Sequence, residues 1–166
     1  YMITPSDKAY KETKQIMLGI SKMKNEFRKF ADWLDETFNV KTINIIYDTI
    51  DKGSRPRIEI CFEFEEEIYG FLNSDRISYN SKKQKMIARK FKEIMEENPI
   101  FERSGNPKYK TKNVWVIYGA FEKAAKQEAN HNITSEDIIN LKKDLDNKEI
   151  WEISKAFSIP TFFLYT

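Results

Sequence analysis

The sequence predicts an α+β or α/β domain: a single four- to five-stranded mixed sheet, built on an N-terminal β-hairpin, with helices on at least one face. Three observations predict it. Residues 40–50 and 57–65 alternate strictly between apolar and polar side chains, the signature of strands with one face against a core. Asp51-Lys52-Gly53-Ser54 between them reads as a turn. Residues 114–118 and 161–165 are continuous apolar runs, as in strands covered on both faces.

Taken in order, Pro5 and Ser6 open a helix expected to reach Phe38, because Ile16, Ile20, Met23, Phe27, Phe30, Leu34 and Phe38 recur at threes and fours. Gly19 costs a helix interior about 1 kcal/mol, so a kink or break is expected there. In the hairpin, Ile58, Ile60, Phe62 and Phe64 share one face of the second strand, opposite Glu59, Cys61, Glu63 and Glu65. The first strand sets Ile43, Ile45 and Tyr47 against Thr42, Asn44, Ile46 and Asp48. Residues 76–79 add a short strand.

Ser81, with Gln84 three residues on, then opens a helix as a capping box, and Asn98-Pro99 ends it. At helical spacing Ile87, Ala88, Phe91, Ile94 and Met95 lie on one side, and Lys82, Lys83, Lys85, Arg89 and Lys92 on the other. Residues 99–113 form a long loop or a loose hairpin about Ser104-Gly105-Asn106-Pro107. After the strand at 114–118, a helix is expected over 120–129, and Thr134 with Asp137 caps another through Leu145. Asp146-Asn147 interrupts it; a further helix carries Ile150, Ile153 and Phe157, and Pro160 closes the helical region before the last strand. If that strand is parallel to 114–118, the residues between them make a right-handed crossover.

Composition bounds the function classes. With 40% apolar and 14% aromatic residues, the 166-residue chain can build a packed core, and residues 1–166 read as one domain. The net charge of +2 argues against a strongly nucleic-acid-binding protein judged on totals. A single cysteine, Cys61, excludes an intrachain disulfide framework and a cysteine-rich zinc site. Without an apolar run of about 18 residues or a signal-peptide pattern, the expected location is cytoplasmic, with no membrane span. No cofactor and no metal are expected. The five glycines are isolated from one another, so no phosphate loop is present.

Glu59, Glu63 and Glu65 project together from the hairpin's outward face, and Glu66 and Glu67 extend the charge; residues 61–70 hold four acids and no base. These five glutamates are the candidate partner-binding residues, an acidic docking surface for a basic protein partner. Neighbouring carboxylates disfavour a thiolate at Cys61, and His131, between Asn130 and Asn132, reads as a turn residue with no nucleophile at a recognisable spacing. The order helix, strand, hairpin resembles that of restriction-type nucleases, whose pattern requires an Asp and then Glu-x-Lys. Asp48, Glu59 and Glu63 would have to converge, but Glu59 is followed at that offset by Cys61 and Glu63 by Glu65. The activating lysine is missing, so the reading favours a non-enzymatic protein. Its physical character is similar to that of toxin-neutralising immunity proteins, which inhibit basic, nuclease-like toxins. The alternative is a nucleic-acid-binding protein using Arg103, Lys108, Tyr109, Lys110 and Lys112 in the basic loop, together with the exposed lysines of helix 82–97. Trp33, Trp115 and Trp151 fall on apolar stripes and read as core.

Overall fold

In a computed structural model, which describes residues 3–145, 150–156 and 159–164, the hairpin forms where the alternation puts it. Strands β1 (Thr42–Ile50) and β2 (Arg55–Phe62) run antiparallel, with Ile46 opposite Glu59 and Asp48 opposite Arg57. Gly53 takes a positive φ of 86° in the connecting turn, a conformation that costs glycine little.

The expected first helix is two, α1 (Lys8–Met17) and α2 (Asn25–Phe38). The break has a local cause. Gly19 adopts φ 73°, its amide donates to the Ile16 carbonyl, and the Ile20 amide donates to the Gln15 carbonyl, the paired bonds of a Schellman stop. After β2 come α3 (Glu65–Tyr69), α4 (Ser81–Glu97) and β3 (Trp115–Ala120). The cap of α4 is Asn80, not Ser81: its side-chain oxygen accepts the Lys83 amide at 3.0 Å. The short strand expected at 76–79 reduces to one bridge between Leu72 and Tyr79. The segment 99–113 is a hairpin, with Ile100 and Lys108 bonded across it and Gly105 at φ 82° in its turn. Helix α5 (Phe121–Asn132) follows β3 directly, and α6 (Ser135–Leu145) starts at a reciprocal cap between Thr134 and Asp137.

Strands β1, β2 and β3 form one mixed sheet in that order, β3 lying parallel to β2. Among the described residues the fold is therefore α+β, with six helices and a three-stranded mixed sheet, and the expectation of a single sheet of four to five strands is corrected, since the five strands divide into two sheets. The last two strands, β4 (Ile150–Ala156) and β5 (Ile159–Leu164), pair with each other, antiparallel, and not with the main sheet. Antiparallel pairing satisfies the facing backbone groups of both strands without any crossover. Ile150 and Ile153 thus belong to a strand where a helix was expected, and Pro160 lies within β5. Phe157, Tyr165 and the Asp146-Asn147 break lie outside the described residues.

Both faces of the main sheet are covered. On one, Ile45, Ile58, Ile60, Phe62, Val116 and Tyr118 pack with Phe27, Phe30 and Leu34 of α2 and Ile87, Phe91 and Ile94 of α4. On the other, Ile46 and Cys61 pack with Ile3, Ala9 and Tyr10 from the N-terminal segment and α1, and with Ala124 of α5. This second layer comes very close. A Cβ on Gly119 would collide with Ile3 and would stand 2.8 Å from Glu59 Oε1. Gly119→Ala is therefore expected to lower stability by about 1–3 kcal/mol. Urea unfolding of Gly119→Ala, Ile3→Ala and the double variant checks this, the double losing less than the two singles combined.

Candidate functional site

The acidic residues do not share a solvated strand face. β2 ends at Phe62, and Glu65, Glu66 and Glu67 form the first turn of α3, where carboxylates complement the helix dipole. Glu65 pairs with Lys123 of α5, and Glu67 accepts the backbone amides of Lys41 and Phe64. Glu63 is half-buried, and Glu66 alone of the five is exposed.

Glu59 departs furthest from expectation. It is 4% exposed, on the sheet face covered by α1 and α5, and its Oε1 has no hydrogen-bond partner. Burial pushes its carboxyl up to about 7 against the pull of Arg57, and Asp7 and Asp48 push the same way. Beside it Cys61 is fully buried, and burial, with Glu59 second, drives its thiol pKa far upward. Asp48 is held by Arg57 through Nε at 2.8 Å and Nη2 at 2.5 Å, so it does not join Glu59 and Glu63 in a metal site. Among the described residues no group of three or more His, Cys, Asp or Glu side chains is disposed to hold a metal ion. His131 is exposed in the last turn of α5.

The basic loop is arranged differently from its sequence reading. Tyr109 is 8% exposed and belongs to the core, its ring edge-on to Tyr47 and its hydroxyl donating to Glu26 at 2.8 Å. It is not free to stack on a ligand. Lys108 bonds the same carboxylate at 2.9 Å. Burial opposes ionisation of Glu26, but the bonds from Lys108 and Tyr109 prevail and hold it down at about 2. The Lys110 amide donates to the Tyr47 hydroxyl at 2.8 Å, and its ammonium bonds the Gly53 carbonyl in the β1–β2 turn at 3.1 Å. The 99–113 hairpin is thereby fastened to α2 and to the first hairpin.

Between these fastenings lies an open groove of about 1210 Å³, bounded by the β1–β2 turn, the end of α4 and the 99–113 hairpin. A second cavity of about 460 Å³ continues it along α4 and β3, sharing Arg55, Lys85, Thr111, Lys112, Asn113 and Val114. Lys85, Arg89 and Lys92 are spaced by four and three, which places them on one stripe of α4, and all three line this track. Arg55, Lys110 and Lys112 add three more cations, against the carboxylates of Asp51 and Glu96. Lys92 pairs weakly with Glu96 at 3.8 Å. The i,i+4 partner that spacing offers Arg89 is taken: Glu93 pairs with Lys90 at 2.8 Å. Arg55, Lys85, Arg89 and Lys112 have no carboxylate partner among the described residues. Arg103 is exposed in the turn of the 99–113 hairpin, outside the groove lining.

Three groove residues escaped sequence reasoning. Arg55 lies outside the predicted strand, Phe101 stands apart from the loop's basic cluster, and Trp115 falls on an apolar run that reads as core. Trp115 is half-buried at the sheet edge, with the Arg55 and Arg57 guanidinium groups 5.5 and 5.9 Å from its ring centroid. Only the parallel register, which sets Trp115 beside Arg57, brings them together. Trp33 is also half-buried, and the side chain of Trp151 lies outside the described residues. No family model, curated protein or solved structure matches the chain, so the geometry alone carries the functional argument. No helix among the described residues is long and apolar enough to cross a membrane.

The buried Glu59 gives a pH test. Its pKa is raised on folding, so the native state holds this proton more tightly than the unfolded chain. The neutral form is the stable one, and stability falls as pH rises from the ordinary glutamate range through about 7. At about 1.4 kcal/mol per pH unit the loss reaches about 3 kcal/mol. Urea unfolding between pH 5 and 8, taken as roughly the titration window, is expected to show this slope in the parent and lose most of it in Glu59→Gln.

Proposed function

We propose that the protein binds nucleic acid through the groove along α4, β3 and the 99–113 hairpin. The observation that carries this reading is the segregation of charge. In a chain of net +2, six basic side chains and two carboxylates line one continuous track. Only Lys92 of the six pairs with a carboxylate among the described residues, and Lys110 is held by the Gly53 carbonyl, so the field of Arg55, Lys85, Arg89 and Lys112 extends into the groove and is available to phosphates. The acidic segment offers a protein partner much less: Glu59 is buried, Glu65 is paired, and Glu67 caps a helix.

The cations stand on elements that do not need to reorganise. Lys85 and Arg89 ride on a helix whose opposite side is core, and Lys112 follows a hairpin anchored by Tyr47, Tyr109 and Glu26. A pre-formed site loses little side-chain and loop entropy on binding. Phosphate contacts of this kind set affinity and orientation and carry no sequence information by themselves.

Fluorescence anisotropy with a labelled oligonucleotide, across a salt series, tests the reading. Binding is expected to weaken steeply with salt, and the Lys85→Gln/Arg89→Gln/Lys112→Gln variant to bind more weakly with a shallower slope. Each lost phosphate contact lowers the log–log slope by about 0.7 for a single strand and about 0.9 for a duplex. Binding that is insensitive to these substitutions would remove the groove as the site.

A further inference from the structure

We propose that the occupant of the groove is a single strand, held by base stacking on Phe101 and Trp115 as well as by its phosphates; this rests on the groove's reading as a nucleic-acid site. Of the three aromatic side chains that line the track, Tyr109 belongs to the core, while Phe101 in the first cavity and Trp115 in the second do not. Phe101 is 59% exposed in the first arm of the 99–113 hairpin, where its backbone pairs with Pro107. Burying a phenylalanine stabilises a fold, so one displayed this far outside it contributes little to stability. Trp115 lines the second cavity, half-buried, with the Arg55 and Arg57 guanidinium groups beside its ring.

Cations lie between the two rings: Lys85 and Lys112 line both cavities. A strand following them would alternate phosphate contacts with stacking on the displayed Phe101 ring and on the Trp115 ring with its flanking guanidinium groups, the combination by which single strands are held without sequence preference. A duplex cannot use it. Its base faces are stacked inside the helix, leaving the displayed rings only groove edges and sugars, and unstacking each step would cost a few kcal/mol. The groove is also concave, unlike the projecting helix or ribbon by which many proteins read a duplex in its major groove. The backbone of 99–113 is pinned at Tyr47 and Glu26, so Phe101 is presented on an ordered arm.

The test compares a labelled oligodeoxythymidine strand, the same strand annealed to its complement, and heparin, with the parent and with Phe101→Ala and Phe101→Trp. The expected result is that the single strand binds more tightly than the duplex. Phe101→Ala should weaken the single strand about tenfold, leave heparin unchanged, and have its loss restored by Phe101→Trp. Duplex binding as tight as the single strand, or a Phe101→Ala variant that binds the single strand like the parent, would overturn the stacked single strand while the nucleic-acid reading stands. Equal weakening of heparin by Phe101→Ala would likewise overturn it, since heparin has no bases to stack. Failure of all three polyanions to bind at low salt would overturn both readings together.

Discussion

The rest of the structure depends on β2 being covered on both faces. Ile58, Ile60 and Phe62 bury against α2 and α4, while Glu59 and Cys61 bury under α1 and α5. A strand enclosed in this way must find backbone partners on both edges, which it has in β1 and β3. The parallel neighbour requires a long connection, and α3 and α4 occupy it. Helix α4 packs Ile87, Phe91 and Ile94 inward, and its charged stripe turns outward as a consequence.

That enclosure also decides where charge can work. The carboxylate on the buried face is forced towards its neutral form, and the first-turn acids of α3 are drawn into helix capping and a pair with α5. The cations have the opposite fate. Lys85, Arg89 and Lys92 stand on the outward stripe of α4, and Arg55, Lys110 and Lys112 stand where β2 begins and the 99–113 hairpin folds back, so all six line the open groove. The fastenings of that hairpin are aromatic and polar together: Tyr109 packs on Phe27 and Tyr47 while its hydroxyl reaches Glu26. A loop tied down in this manner can wall a groove that keeps its shape.

The sequence by itself determined the hairpin, the turn at residues 51–54, the inward stripe of α4 and the strand beginning near Val114, because each is written in a local period that one face of a core enforces. It also placed the break at Gly19 and the cap at Thr134, where short-range backbone chemistry decides. Tertiary structure alone decided what lies over the second face of the sheet. Alternation announces two faces but is silent on whether water or a helix meets the polar one. Here the covering helices present small or mixed residues, Ala9, Tyr10, Thr13 and Ala124, which make a weak periodic signal. Glu59 therefore read as solvated and is buried. Tyr109 read as a stackable loop residue and is core, because its partners Tyr47 and Glu26 come from distant segments. The groove unites residues from 51 to 115 through a parallel register, and such long-range pairing leaves no trace in the spacing of residues along the chain.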